Sequence, residues 1–263
     1  MDLQRGTAGL LPYLAAGSGR TLFYLAGLLP QAGVEAKLAQ RTARASLAPF
    51  VRTRRAVFVN RRTDLPGGMT MASLAAEHAD AIRALDDGPV DVLGVSTGGS
   101  IAQQLAADHP DVVDRLVLVS TGCRLGDRTR GLQRRVADDV RAGRAQRALA
   151  LVALSIAVPN GERLSAAAAP LFSPFAARVG DLSDLATTIE AEDGFDLADC
   201  ETIKALTLIV AGARDRFYDR ALLEETARLV PRSTLSVFPR RGHVTVTTGR
   251  RFAATVEGFL SRG

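Results

Sequence analysis

Val90-Asp-Val-Leu-Gly-Val-Ser-Thr-Gly-Gly-Ser-Ile-Ala-Gln-Gln-Leu105 reads as a buried strand, a sharp turn and a helix, with Ser96 at the turn. Residues 90–95 form a short valine-rich run of the kind covered on both faces of a sheet. After the turn, Ile101, Ala102, Leu105 and Ala106 recur at helical spacing, and His109-Pro110 ends the helix. The core of the stretch, Gly94-Val-Ser-Thr-Gly98, has the G-x-S-x-G spacing that seats a nucleophilic serine on a strained strand-to-helix turn. Glycines are needed there because strand and helix pass too close for larger side chains. The turn lifts the Ser96 hydroxyl clear of the sheet. It also aims the first free N–H groups of a helix, that of Thr97 among them, at whatever the serine attacks.

Outward from this stretch, apolar strand-like runs alternate with helical patterns. Strands are expected at Thr21–Ala26, Ala56–Asn60, Val90–Val95, Arg115–Ser120, Leu206–Ala211 and Thr234–Phe238. Helices are expected near 31–49, 70–86, 98–108, 219–230 and 245–261. Such alternation implies an α/β protein with a mostly parallel, doubly wound sheet, whose ligands bind beyond the carboxyl ends of the strands. Ser96 follows a strand and so lies at that edge. Between Ser120 and Leu206 the rhythm breaks into helical patterns alone: Leu132, Val136, Val140; Leu149, Val152, Ala153, Ile156; an alanine-rich piece around 164–178; and 182–192. Residues 123–203 are therefore expected to form a helical lid inserted in a core made of 1–122 and 204–263. Leu171, Phe172 and Phe175 are candidate pocket walls on that lid, the alternative being packing within it.

Composition narrows the class. With 263 residues, 47% hydrophobic and 23% charged, the chain can bury a substantial core as one domain with an insertion. No apolar run is long enough to cross a bilayer, and Pro12 with the Gly17-Ser-Gly-Arg20 stretch argues against a signal core. A cytoplasmic protein is expected, as monomer or homodimer. Cys123 and Cys200 lack metal or redox spacing, His78, His109 and His243 are dispersed, and no glycine-rich nucleotide loop follows a suitable strand. Neither a metal nor a cofactor is expected. The net charge of +5 is almost all arginine, since Lys37 and Lys204 are the sole lysines. Arg124, Arg128, Arg130, Arg134, Arg135, Arg141, Arg144 and Arg147 cluster in the insertion. They read first as a solvated helix face, and second as attraction for an anionic substrate or an acidic carrier protein. Nucleic-acid and membrane partners are not expected.

A serine hydroxyl needs a base, and the base an orienting acid. Leu206-Thr-Leu-Ile-Val-Ala-Gly-Ala-Arg-Asp215 is a strand and turn presenting Asp215, with Asp219 as the fallback acid. Ser236-Val-Phe-Pro-Arg-Arg-Gly-His243 is a strand and loop ending in His243, whereas His78 falls inside a helix and His109 at a helix end. The order Ser96, Asp215, His243 is the one that elbow-type triads use.

On Gly94-Val-Ser-Thr-Gly-Gly99, Gly212-Ala-Arg-Asp215 and Gly242-His243, the chain resembles the α/β-hydrolase superfamily over nearly its full length. The branch it resembles has a serine nucleophile and an all-helical cap. A fourth family signature, the His-Gly-x loop after the third strand, reads Ala26-Gly27-Leu28-Leu29-Pro30 here. The resemblance implies that the Leu28 N–H is a second oxyanion donor beside Thr97; Leu29, next in the loop, is a further candidate for the substrate pocket. Ala26 replaces the usual histidine and removes a side-chain hydrogen bond from that loop. Asn60-Arg-Arg-Thr-Asp-Leu-Pro-Gly-Gly68 replaces a common Asp-x-Arg-Gly-x-Gly-x-Ser pattern. What the resemblance implies is hydrolysis of a small-molecule ester-like bond (carboxylic ester, lactone or thioester) through an acyl-enzyme. The alternatives are a carbon–carbon bond hydrolase, a non-hydrolytic cyclase or lyase, and a ligand-binding protein with an unused triad.

Overall fold

The computed structural model describes residues 1–157, 159–200 and 202–261. Its elements run β1 Gln4–Ala8, β2 Leu11–Ala16, β3 Thr21–Leu25, α1 Lys37–Leu47, β4 Arg55–Val59, α2 Met71–Leu85, β5 Val90–Val95 and α3 Thr97–Asp108. There follow β6 Val113–Val119, α4 Asp127–Arg141, α5 Ala145–Ala157, α6 Ser165–Ala168, α7 Ser173–Val179 and α8 Ser183–Asp193. The chain closes with β7 Leu206–Gly212, α9 Arg220–Leu229, β8 Ser233–Phe238 and α10 Arg250–Leu260.

The strands form one eight-stranded sheet in the order β1-β2-β4-β3-β5-β6-β7-β8. From β4 to β8 every neighbouring pair is parallel, while β2 pairs antiparallel with both β1 and β4. The central strands are apolar throughout because both faces are covered. In β6, Leu116 and Leu118 point into one core with Leu74, Ile82 and Leu105, and Val117 and Val119 into the other with Leu47, Phe50, Phe252 and Val256. Parallel direction gathers the carboxyl ends of β3, β5, β7 and β8 at one edge. The loops leaving that edge carry Leu28, Ser96, Asp215 and His243.

The six expected strands are present within two residues of their expected ends, and Val90–Val95 coincides. Two strands were not expected. The Gly9–Gly17 segment holds the turn and second strand of an antiparallel hairpin. Gly9, at φ +54°, supplies its left-handed turn residue. The helix expected over 31–49 covers only Lys37–Leu47, because residues before it form a braced loop described below. The one expected over 245–261 divides at Gly249 (φ +94°) into a 3₁₀ turn, Thr245–Thr247, and α10.

Between β6 and β7 lie α4 to α8 and no named strand among the described residues. Val136, Leu149, Leu151, Val179, Leu182, Leu185 and Ile189 form a hydrophobic cluster of their own there, separate from the two cores flanking the sheet. No helix among the described residues is long and apolar enough to cross a membrane.

Candidate active site

Ser96 is the residue between β5 and α3, with φ 53° and ψ −124°, a conformation that L-residues avoid. The flanking glycines make it feasible. A Cβ on Gly94 would lie 2.7 Å from the Ala102 Cβ, and one on Gly99 would lie 2.5 Å from the Thr121 Cγ2. One on Gly98 would run into the backbone of Leu25 and Ala26 in the neighbouring strand and loop.

His243 reaches this serine from the loop after β8. Its Nε2 lies 3.1 Å from Ser96 Oγ, and its Nδ1 lies 2.9 Å from Asp215 Oδ2. The Asp215 side chain is fully buried. Its Oδ1 accepts from the backbone N–H groups of Phe217 (2.9 Å) and Tyr218 (3.3 Å), which fixes Oδ2 toward the imidazole. The same two residues pack rings on His243: Phe217 at 4.7 Å between centroids, and Tyr218 stacked at 6.0 Å with planes 16° apart. Ser120 Oγ donates to the His243 carbonyl at 2.8 Å and holds the loop from below. With Nδ1–H committed to a carboxylate, Nε2 is free to accept the Ser96 hydroxyl proton. Asp219, the fallback acid, caps α9 by accepting from Leu222 N at 2.9 Å, away from the imidazole hydrogen bond. His78 is buried and its Nδ1 bonds the Leu74 carbonyl at 2.7 Å, while His109 ends α3.

Leu28 and Thr97 both border the pocket in front of Ser96. Thr97 opens α3, so its N–H has no acceptor within the helix. The loop carrying Leu28 lacks the family histidine, and its bracing comes from the segment after β4 instead. Asn60 Nδ2 donates to the carbonyls of Gln31 (2.9 Å) and Gly33 (2.8 Å), and the Arg61 guanidinium donates to the Pro30 carbonyl at 2.9 Å. Burial pulls the Arg61 pKa down to about 10, partly offset by Asp184 nearby.

The pocket is a cavity of about 260 Å³. Its floor is Tyr24, Gly27, Leu28, Leu29, Ser96 and His243, and its roof is Leu132, Gln133, Val136, Val152, Ile156 and Ile189 from α4, α5 and α8. Apart from the titratable His243, no side chain that carries charge at neutral pH lines it among the described residues. Of the candidate pocket residues, Leu29 is on its wall. Leu171, Phe172 and Phe175 are not: Leu171 is 81% exposed, Phe175 is exposed, and Phe172 packs on the helical cluster's own core. Pro170 and Pro174 break this segment into short pieces, so its apolar residues follow no single helical face, and the long helices supply the roof.

Residues 54–249 match the sequence model of a family described as the alpha/beta hydrolase fold. The chain belongs to the α/β-hydrolase fold family. The chain is 31% identical to 2-hydroxymuconate semialdehyde hydrolase of Pseudomonas putida over 197 residues, 70% of this chain and 67% of that protein. In three dimensions it resembles a hydrolase from Pseudomonas aeruginosa (TM-score 0.76, 24% identity, 99% of each chain). It also resembles the enol-lactonase of Burkholderia xenovorans (TM-score 0.75, 21% identity, 98% of this chain and 100% of that one).

This α/β-hydrolase also contains polar groups that its motifs do not announce. Glu192 of α8 is fully buried behind the elbow. Its Oε2 accepts from Thr97 Oγ1 at 2.7 Å and Gln133 Nε2 at 3.0 Å, and its Oε1 accepts from Ser100 Oγ at 2.7 Å. Burial pushes its pKa up, and these hydrogen bonds oppose the rise. One signal pointed to it: Leu182, Leu185, Ile189 and Glu192 follow helical spacing, which puts the carboxylate on the apolar face. The arginines of the helical stretch pair largely with its own acids, Arg128 with Glu162, Arg134 with Asp193, Arg141 with Glu190, and Arg144 and Arg147 with Asp139. Arg124 bridges to Glu225 of α9.

Proposed function

We propose that this α/β-hydrolase cleaves an ester-like bond of a small, largely apolar acyl compound, with Ser96 as nucleophile, His243 as base and Asp215 as its orienting acid. The reading is carried by the continuous hydrogen-bonded chain from Ser96 Oγ through His243 to Asp215, opening on a pocket with no permanently charged wall among the described residues. His243 Nε2 takes the hydroxyl proton as Ser96 Oγ bonds to the carbonyl carbon. The N–H groups of Leu28 and Thr97 receive the oxygen that becomes negative. Collapse expels the leaving group, which takes the proton from Nε2, and leaves an acyl-serine. Water, deprotonated by the same nitrogen, releases the acid and restores the serine. Residues 123–203 act as the lid over a core of 1–122 and 204–263, bounding the acyl pocket with the long helices α4, α5 and α8.

The uncharged lining favours a neutral acyl or ring group, and the 260 Å³ volume suits one of modest size. Pairing of the lid arginines with lid acids favours a solvated face over a docking strip for an acidic carrier. Ser96→Ala is expected to abolish both turnover of a p-nitrophenyl ester and labelling by a fluorophosphonate. Unchanged turnover in that variant ends the assignment, and absence of both in the wild type would favour a ligand-binding protein. A second reading, hydrolysis of a carbon–carbon bond, is favoured by the likeness to 2-hydroxymuconate semialdehyde hydrolase. Assay of a β-diketone-like substrate beside the ester distinguishes the two hydrolases. Oxygen from labelled water entering the product separates either from a cyclase or lyase.

A further inference from the structure

The residue that follows the nucleophile has two jobs in this chain. If Ser96 attacks as proposed, the Thr97 backbone N–H faces the developing oxyanion, while its side chain points the other way, into protein. There Thr97 Oγ1 donates to Glu192 Oε2 at 2.7 Å, and Ser100, one helical turn on, donates to the other carboxylate oxygen at 2.7 Å. Gln133 of α4 reaches Oε2 from the lid side at 3.0 Å. Thr97, Ser100 and Glu192 are each at most 3% exposed. Glu192 is absent from the pocket lining and touches the pocket through two residues that are part of it, Thr97 and Gln133.

Burying a carboxylate is costly, and an apolar side chain of similar volume would serve packing alone at least as well. What the carboxylate adds is direction. It has two acceptor oxygens, met by hydroxyls at i and i+3 on one face of α3, and it grows from the lid helix α8. The first turn of α3 is thereby held in one position relative to the lid. The other end of α8 is fixed as well, since Asp184 accepts from the backbone N–H groups of Asp64 (3.1 Å) and Leu65 (2.8 Å). We propose that Glu192 is a positioning residue: it clamps the Thr97 peptide in register with the incoming oxyanion and couples lid placement to the elbow. The proposal rests on Ser96 being the nucleophile.

The test compares Glu192→Leu, Thr97→Val, Thr97→Ser and the Glu192→Leu/Thr97→Val double variant on a p-nitrophenyl ester. Wild type and Ser96→Ala run alongside. Turnover that disappears in Ser96→Ala secures the underlying reading first; absence of that difference overturns the reading itself, a result distinct from those that follow. A mispositioned donor is expected to lower kcat about 10- to 100-fold in both single variants, with KM within about twofold of wild type. Phenylboronic acid, whose adduct places a hydroxyl oxygen in the oxyanion position, should weaken by a similar factor. Thr97→Ser, which keeps the hydroxyl, should return kcat to within about threefold of wild type, and the double variant should be no worse than the poorer single one. A folded Thr97→Val enzyme with kcat within about twofold of wild type overturns the proposal. So do effects confined to KM, boronate affinity that does not follow kcat, or losses that multiply in the double variant. Should Glu192→Leu fail to fold, Thr97→Val decides alone, because it leaves the carboxylate its Ser100 and Gln133 donors.

Discussion

Asp215 is gripped on one oxygen by two backbone N–H groups and on the other by the imidazole, and that grip makes its chemistry testable. In Asp215→Asn the amide oxygen stays with the Phe217 and Tyr218 N–H donors, so its NH₂ turns to His243. The imidazole must then accept at Nδ1, which moves its proton to Nε2, where it can no longer take one from Ser96. A loss of about 10³- to 10⁴-fold in kcat on the ester is expected from a folded protein. A loss of less than about tenfold would remove Asp215 from the mechanism. Ser96, Asp215 and His243 were legible as candidates because each follows a strand and lies within three residues of a glycine in a short pattern. Asn60 and Arg61 were not, because their partners lie far away in the chain and an amide or arginine in a polar stretch reads as solvated, and Glu192 showed only as an acid at helical spacing with apolar residues. Their meaning comes from burial, which one sequence does not display.

Elements carry a different kind of constraint, seen in α2. A capping box starts it: Thr70 Oγ1 accepts from Ser73 N at 3.1 Å, and Ser73 Oγ accepts from Thr70 N at 2.8 Å. Its inner face buries Leu74, Ala75, His78 and Ile82, with His78 edge-on to Phe23 of β3. Burial lowers the His78 pKa from 6.5 to about 4, against the Leu74 carbonyl hydrogen bond that raises it. The unfolded chain therefore binds a proton below about pH 6.5 that the native helix refuses until about pH 4. Stability from this group is complete above pH 6.5 and declines as pH falls through that window, by at most about 3 kcal/mol. Urea midpoints between pH 7 and 4 should fall less steeply in His78→Met than in wild type; equal slopes would show that His78 titrates normally. At this scale the sequence was most readable where strands are buried on both faces, and least where an element is short or at an edge. The β1–β2 hairpin has one partner strand and the Pro12-bearing segment Leu11–Ala16. The 165–179 segment is cut by two prolines, so neither offered a sustained period to count.

Across the whole molecule, the sheet separates reactivity from cohesion. The Ser96 site occupies the carboxyl edge, and the amino-terminal half of β5 carries a buried ion pair instead. Asp91 has no exposed side-chain surface and accepts from Arg54 at 2.5 Å and from the half-exposed Arg20 at 3.2 Å. Arg54, 6% exposed, continues to Glu257 of α10 at 3.4 Å, so the pair links β5, the entry to β4 and the last helix. Removing one partner leaves an uncompensated buried charge, which costs about 3–5 kcal/mol, while replacing both with apolar groups can be neutral. Asp91→Ala leaves Arg54 with only its longer Glu257 contact and should therefore lower the urea-derived stability by about 3 kcal/mol, the low end of that range. Arg54→Met/Asp91→Leu should recover most of the loss. Below the unfolding transition, both variants should retain kcat/KM within about twofold, because the loops carrying Ser96, Asp215 and His243 leave the opposite edge of the same strands. A large fall in kcat/KM with stability intact would mean that the two edges are mechanically coupled along β5. In that case Ser96 would owe its strained conformation to the foot of the strand as well as to the glycines around it.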